Sequence, residues 1–495
     1  MMRWLWLPLL CSACMVGPDY QKPDAPVSVA YKELQGWTVA QPQDSVDRGS
    51  WWSIYHDPQL DALEQQVDVS NQTVKQFEAQ YRNAVALVQA AQANLFPVVG
   101  LNGSVTRSSG FSGSGVNGSG AVTGTSTFSV TGRNAGAPRT QYSVDGSITW
   151  DLDVWGRVRR QVESQVAGAQ LSAADLANAR LSAQATLATD YFNLRAEDSL
   201  QELLRRTVAY YERALAIVQN QHAAGIVSAS DVVTAQAQLE GARAQLVGVG
   251  VQRALFEHAI AVLTGHPPAD LSIPMGSLAS SVPVVPPGLP STLLQRRPDI
   301  AAAERQMQEQ NALIGVQIAA FYPDISLSTL GSFVGSPLSE LFTVANRTWS
   351  LGAAAGETLF AGGARTAAVA AARATYDLSV ANYRQVVLTA LQGVEDQLSS
   401  LRILEQQKRA EDIAVAAAQR AVDVIFNQYR AGTVAYTSVI TEQQILLGDQ
   451  QAQLAVQQSR LVASVALIQA LGGGWDTSQL PDRKDLPNAL DVLKP

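Results

Sequence analysis

Apolar and polar residues alternate without a fault from Tyr142 to Val154. The even positions are Tyr142, Val144, Gly146, Ile148, Trp150, Leu152 and Val154; the odd ones are Ser143, Asp145, Ser147, Thr149, Asp151 and Asp153. A period of two predicts a β-strand. One face is apolar with aromatics near its ends and the other carries carboxylates, as a strand between lipid and water should, with Asp145, Asp151 and Asp153 facing the water. An edge strand of a soluble sandwich would alternate in the same way. Strand-like runs also lead up to about Arg107 and cover Ile325 to Phe333 and Trp349 to Phe360, so the pattern predicts two hairpins.

Elsewhere the apolar spacing becomes three, four and seven, the period of a helix. Leu60, Leu63, Val67, Val74, Phe77, Tyr81 and Val85 predict one helix from about Pro58 to Leu95 that stops at Phe96-Pro97. A second, from about Leu294 to Phe321, stops at Tyr322-Pro323. After each hairpin comes a helical run, from about Arg157 to Ala223 and from about Arg365 to Arg430. At 1.5 Å per residue such a run is a rod of about 100 Å, longer than any globular core requires. The rods end at Gly225 and Gly432, which suit a left-handed cap, and each turns back as a shorter helix. Ser228 and Asp231 have capping-box spacing for the first return. Dense alanine, as in Ala364, Ala367, Ala368, Ala370, Ala371, Ala372 and Ala374, favours helix and permits close helix packing.

These elements occur twice. Arg213 to Gly241 recurs 207 positions later as Arg420 to Gly448, with 12 identities in 29 residues, where chance gives roughly two. Upstream, Ser143, Leu152 and Gly156 match Ser350, Leu359 and Gly363 in the same register. The organisation predicted is a signal segment (1–13), an extended tail (14–57), a first repeat (58–265), a Pro-rich connector (266–293), a second repeat (294–472) and a C-terminal tail (473–495). A duplicated unit of hairpin plus rod predicts a symmetrical tube. Two hairpins give four strands per chain, too few to close a barrel, so the barrel must be shared between chains. Two chains would fill an eight-stranded interior with side chains; three would leave room for a pore.

Charged residues make up 16% of the chain, well below the usual share, which suits long packed helices. A net charge of −8 argues against nucleic acid as a partner. The two cysteines, Cys11 and Cys14, stand at the end of a short apolar run that is too brief to span a bilayer and reads as an export signal. Ser12 and Ala13 before Cys14 resemble a bacterial lipoprotein cleavage box, which would lipidate Cys14; an ordinary signal peptide with an incidental thiol is the alternative. Met15, in place of an aspartate, points to the outer membrane. No other uninterrupted apolar run reaches 18 residues, so any membrane-spanning part must be strands.

Motifs for chemistry are weak. Gly113-x-Gly115-x-x-Gly118 has the spacing of a dinucleotide fingerprint but lies in a Gly/Ser tract without the strand and helix such a site needs. His56, His222, His258 and His266 form no pair at ligand spacing. No catalytic residue, metal or cofactor is expected.

The motifs that run through the chain are Cys14-Met15-Val16-Gly17-Pro18-Asp19-Tyr20 with Pro23, Trp51-Trp52, Asp57-Pro58-Gln59-Leu60, Asp151-Leu152-Asp153 with Trp155-Gly156, Arg296-Arg297-Pro298-Asp299-Ile300, Phe321-Tyr322-Pro323 and Tyr429-Arg430-Ala431-Gly432. In this order they resemble the outer-membrane efflux lipoproteins, the trimeric channels of tripartite drug-efflux pumps. The resemblance implies a mainly α, mixed fold: a homotrimer with a twelve-stranded transmembrane β-barrel, anchored in outer-membrane lipid, above a periplasmic α-barrel of long-helix hairpins. It also implies a periplasmic adaptor docking at the turn tips (Gly225, Ile226, Gly432, Thr433), an inner-membrane transporter as the energy source, and a closable periplasmic end. The family's gate aromatic falls on Tyr436, whose alternative is a packed inter-helix role; its acidic gate positions fall on Ser438 and Thr441, which are not acidic, while Asp231 supplies a carboxylate in the first copy. The function expected is a passive exit duct for drugs and toxic small molecules. The alternatives are a protein-secretion exit channel serving an ATP-driven exporter and a surface lipoprotein or adhesin.

Overall fold

The computed structural model describes residues 15–28, 30–33, 50–108, 138–283, 285 and 290–489. In the first repeat α1 (Pro58–Ser70) and α2 (Gln72–Ala93) lead to β1 (Val98–Ser108) and β2 (Arg139–Leu152), then to α3 (Arg157–Ala223) and α4 (Ala229–Leu263). In the second, α5 (Leu293–Arg296) and α6 (Pro298–Ala319) lead to β3 (Asp324–Gly335) and β4 (Arg347–Gly356), then to α7 (Ala364–Arg430) and α8 (Tyr436–Ala470). The rods α3 and α7 both have 67 residues and the return helices α4 and α8 both have 35, every boundary being shifted by 207.

Each single helix expected before a hairpin is two helices. Asn71 holds extended backbone (φ −61°, ψ 124°), accepts Val74 N–H on its side-chain oxygen at 3.0 Å and donates to Leu263 O at 2.8 Å. It ends α1 and caps α2 while tying both to the end of α4. In the second repeat Arg297 is extended because it precedes Pro298, whose ring disfavours helical geometry in the residue before it.

The four strands form one antiparallel sheet in the order β1-β2-β3-β4. Its register sorts the two faces. Leu101, Gly146, Gly331 and Trp349 form one cross-strand row, and Ile148, Thr329 and Leu351 the next. This face, with Val99, Trp150, Leu327 and Phe333, is apolar and largely bare. The opposite face carries Asn102, Asp145, Ser332 and Thr348 in one row and Asp151 and Ser326 in another. Among the described residues nothing pairs with the outer edges of β1 and β4.

Below the sheet, α3 packs on α2, α4, α6 and α8, and α7 packs on α6 and α8. Ala167, Ala169, Ala174, Ala183, Ala185 and Ala188 are buried on α3, where small side chains let its neighbours approach. The alanines that open α7 are different: Ala364, Ala367, Ala370, Ala371 and Ala374 are exposed in the single chain. So is much of α4, whose most apolar 18-residue window has mean hydropathy 1.4 yet is only 11% buried. Midway along the rods, a girdle of Trp51, Trp52, Leu60, Leu187, Tyr191, Phe192 and Ile260 closes one core, and Leu293, Ile300, Met307, Tyr383 and Val394 belong to another.

Glu64 on α1 is fully buried, and neither carboxylate oxygen has a hydrogen-bond partner. Burial, reinforced by Asp68 and Asp61, pushes it up from 4.5 to about 9. A raised carboxyl stabilises the fold below its unfolded value near 4.5, and that contribution is lost as pH rises through about 9. Glu64→Gln should therefore raise the melting temperature at pH 7.5, a gain of roughly 1–3 kcal/mol. Thermal scans of the full chain at pH 4.5 and 7.5 check this; the gain should vanish at the lower pH.

Candidate functional site

Three regions hold the residues singled out from the sequence: the polar sheet face, the junction between strands and rods, and the two turn tips. On the sheet, Asp145 accepts the Ser143 hydroxyl at 3.0 Å and the Ser332 hydroxyl from β3, while Ser104 and Ser143 lie 2.9 Å apart. Asp151, opposite Ser326, is exposed on the same face. Asp153 is not part of this face. β2 ends at Leu152, and the Asp153 carboxylate accepts Val158 N–H at 2.8 Å, Arg159 N–H at 2.9 Å and the Arg159 guanidinium at 3.1 Å, leaving its side chain 8% exposed. The cause lies at the N-cap: Gly156 (φ 80°) has no side chain, so the first-turn amides of α3 need a distant acceptor, and a carboxylate suits the positive end of a helix.

At the junction the tail is held tightly. Val16 N–H donates to Trp155 O at 3.1 Å, and a Cβ on Gly156 would come within 2.6 Å of Met15 Cγ. Gly17 passes so close to Gly315 that an added Cβ would lie 2.5 Å from its Cα. Arg160, 1% exposed, donates to Val16 O, Gly17 O, Asp19 and Glu163 at 2.7–3.2 Å. Cys14 lies outside the described residues, as does the Gly113 to Gly118 motif. Aromatic groups mark the same level: Trp155 stacks on Tyr322 at 4.8 Å and donates to Pro323 O at 2.9 Å, and Trp150 donates to Leu95 O at 3.0 Å. Amphipathic rings at the end of an apolar sheet face form the girdle expected at a membrane interface.

Both tips are built alike. Gly225 (φ 70°) and Gly432 (φ 75°) adopt the left-handed conformation; Ile226 N–H reaches Gln221 O at 2.8 Å and Thr433 N–H reaches Gln428 O at 3.0 Å, the long bond of a Schellman cap. The shared Gln221/Gln428 and Gly225/Gly432 letters thus record one turn used twice. The returns differ. Asp231 and Ser228 form a capping box, with the Ser228 N–H and hydroxyl on the Asp231 carboxylate at 3.1 and 2.9 Å. In the second repeat Ala435 offers no cap, and Ser438 only donates its N–H to Ala435 O at 3.1 Å. The Thr441 hydroxyl bonds back to Thr437 O at 3.1 Å.

Tyr436, the expected constriction, is 3% exposed within this chain. Its ring lies 5.3 Å from that of Tyr429, whose hydroxyl donates to Gln221 on the other rod, and Val218, Ala235, Val439 and Ile440 complete the cluster. Burial raises the Tyr436 phenol far above its ordinary value, and Tyr429, Tyr210 and Tyr211 add to the effect. In this conformation Tyr436 is a packed contact between helices, its ring supplying a large apolar area to the cluster. Tyr429 stands in the motif that ends at Gly432, and Gln221 and Gln443 are among the repeated letters, but the sequence does not show that they join the two repeats at the tip.

Residues 63–266 and 289–473 match the family model described as outer membrane efflux protein. The chain belongs to the outer membrane efflux protein family. It is 30% identical over 477 residues to the toluene efflux pump outer membrane protein TtgC of Pseudomonas putida, covering 94% of each. It is 27% identical over 470 residues to the cation efflux system protein CusC of Escherichia coli, covering 94% of this chain and 97% of that protein. The solved outer-membrane channel OprN superposes with a TM-score of 0.83 at 27% identity, covering 93% of this chain and 100% of that chain. Duplicated long-helix hairpins and a four-stranded sheet are therefore the family's fold, as the motifs implied.

Separating the two aspartates gives a test. In planar bilayers Asp151→Asn should lower the cation-to-anion permeability ratio, while Asp153→Asn should leave the ratio alone and lower the melting temperature, a loss of about 1 kcal/mol. Reversal potentials and thermal scans measure the two effects.

Proposed function

We propose that this chain forms the outer-membrane exit duct of a tripartite efflux pump, working as a homotrimer. The observation that carries this reading is a four-stranded sheet, apolar on one face and polar on the other, with two open edges and rods of about 100 Å beneath it. Pairing β4 of one chain with β1 of the next, three times, gives a twelve-stranded barrel with Asp145 and Asp151 on the water side. The same rotation brings neighbouring chains onto the bare face of α4 and the exposed alanines of α7, and sets the rods into a tunnel.

In this reading Cys14 carries lipid, since Met15 and Val16 are fixed at the aromatic level where an acyl chain would meet the inner leaflet. The tips at Gly225, Ile226, Gly432 and Thr433 receive a periplasmic adaptor, which links the duct to an inner-membrane transporter. Among the described residues nothing lies within 4 Å of a Cβ placed on Gly225 or Gly432, which supports the tips as the docking surface. The duct does no chemistry. Relatives are named for cargoes as different as toluene and cations, which supports a reading in which the transporter, not the duct, chooses the cargo. Closure rests on the Tyr429, Tyr436 and Gln221 contact, with Asp231 capping the first return helix beside it and Ser438 and Thr441 at the start of the second.

Photo-crosslinking residues at Ile226 and Thr433 in living cells should trap an adaptor of a drug-efflux pump; trapping the adaptor of an ATP-driven secretion system, or nothing, contradicts the proposal. Tyr436→Ala should remove packing worth about 3 kcal/mol at the tip and raise closed-state conductance. An unchanged closed state in single-channel records would remove Tyr436 from the gate.

A further inference from the structure

The 207-residue offset relates one more set of residues, which the tip repeat does not include. Arg195, Asp198 and Arg253 correspond to Arg402, Glu405 and Arg460. Both sets sit midway along the rods, on α3 with α4 and on α7 with α8.

In the first repeat the set is a closed clamp on the connector. Asp198, with 1% of its side chain exposed, receives Arg195 at 2.9 Å and Arg253 at 2.7 Å. The same guanidiniums donate to Pro274 O at 2.7 Å and Ile273 O at 2.6 Å, and Gly276 N–H donates to Asp198 at 3.0 Å. Extended main chain thus completes the clamp, with its carbonyls on the arginines and its amides on carboxylates, since Ile273 N–H also reaches Glu257 at 2.7 Å.

The second clamp is open by comparison. Arg460 binds Glu405, but Glu405 is 38% exposed and Arg402 turns away to Glu33 of the N-terminal tail at 2.6 Å. Beside it Glu395 accepts the successive amides of Lys32 and Glu33 at 2.6 and 3.0 Å, an anion in a backbone concavity. The extended segment here is the tail itself. It descends from the junction past Asn311 (to Pro18 O, 3.0 Å), Glu304 (to Lys22, 2.6 Å) and Arg384 (to Asp24 O, 3.4 Å), and it buries Tyr31 with Leu293, Ile300, Val394 and Leu398. One repeat is therefore strapped by chain continuous with its own return helix. The other is strapped by a tail whose far end is fixed at the membrane junction.

We propose that Arg402 is a positioning residue for the closed duct: by holding Glu33 it fastens the N-terminal strap across α6 and α7, and so fixes the rod whose far end carries Tyr429. This rests on the duct reading above. α7 is one unbroken helix, so a pin at Glu395 and Arg402 sets the direction of the remaining rod down to Arg430, about 40 Å away. The Glu33 and Arg402 side chains are only 25% and 31% exposed, so the pair is partly withdrawn from water.

The test uses the full-length channel with Arg402→Glu, Glu33→Arg and the double exchange, and with Glu33→Gln and Arg402→Gln as milder variants that keep the shape. Hydrogen exchange at Lys32 and Glu33 reports the strap, single-channel recording reports closed-state conductance, and melting temperature reports general damage. Each single variant should speed exchange at least about tenfold and raise closed-state conductance at least about threefold, and the double exchange should restore both. The proposal is overturned if the strap is released while conductance stays at the wild-type level, if exchange does not change, or if the double exchange restores neither. Wild-type protein that never conducts would instead overturn the duct reading and this proposal with it.

Discussion

A strand edge inside a bilayer has no water to satisfy it. Each unpaired N–H and C=O there costs several kcal/mol, so a sheet can enter lipid only if its edges are closed. Here one sheet face is apolar from Leu101 through Trp349, which commits it to lipid, while β1 and β4 are left with open edges. The rest of the molecule follows from that conflict. In the proposed duct, backbone hydrogen bonding alone would require the chains to assemble, and the bare apolar face of α4 and the alanine-rich start of α7 are what the same assembly would cover below the membrane.

A second regularity is how the acidic side chains are used. Asp57 accepts Gln59 N–H at 3.0 Å at the start of α1, Asp153 accepts two amides of α3, Asp231 closes the capping box of α4, and Asp198 and Glu395 hold strap amides. Long rods with extended straps create many backbone donors that no helix or sheet ladder can satisfy, and carboxylates fill that need. On the polar face of the sheet the acids are Asp145, Asp151 and, at the start of β3, Asp324, which pairs with Arg157 at 3.6 Å. The tip is left to aromatic packing.

The duplication, the hairpins, the rod lengths and the glycine turns were legible because each is written in period or repetition: the rods expected over about Arg157 to Ala223 and about Arg365 to Arg430 are α3 (Arg157–Ala223) and α7 (Ala364–Arg430). Asp153 was misplaced because alternation runs on past the last paired residue, Leu152, and a period of two cannot say where hydrogen bonding stops. The packing of Tyr436 on Tyr429 and α3 could not be read from the sequence, because it joins residues far apart in the chain. Asn71 was passed over because the helical period continues on both sides of it. The paired clamps were within reach of the same 207-residue offset, but only the structure shows that one holds the connector and the other the tail.

The shared barrel is tested most directly by joining the two open edges. Cysteines placed at Leu101 on β1 and Leu351 on β4, in the full-length protein in its membrane, should be linked between chains by a short bismaleimide. The account requires a covalent ladder that stops at three chains when both cysteines are present, and at one chain when either is absent. Linkage confined to a single chain, or a ladder that stops at two, would contradict it.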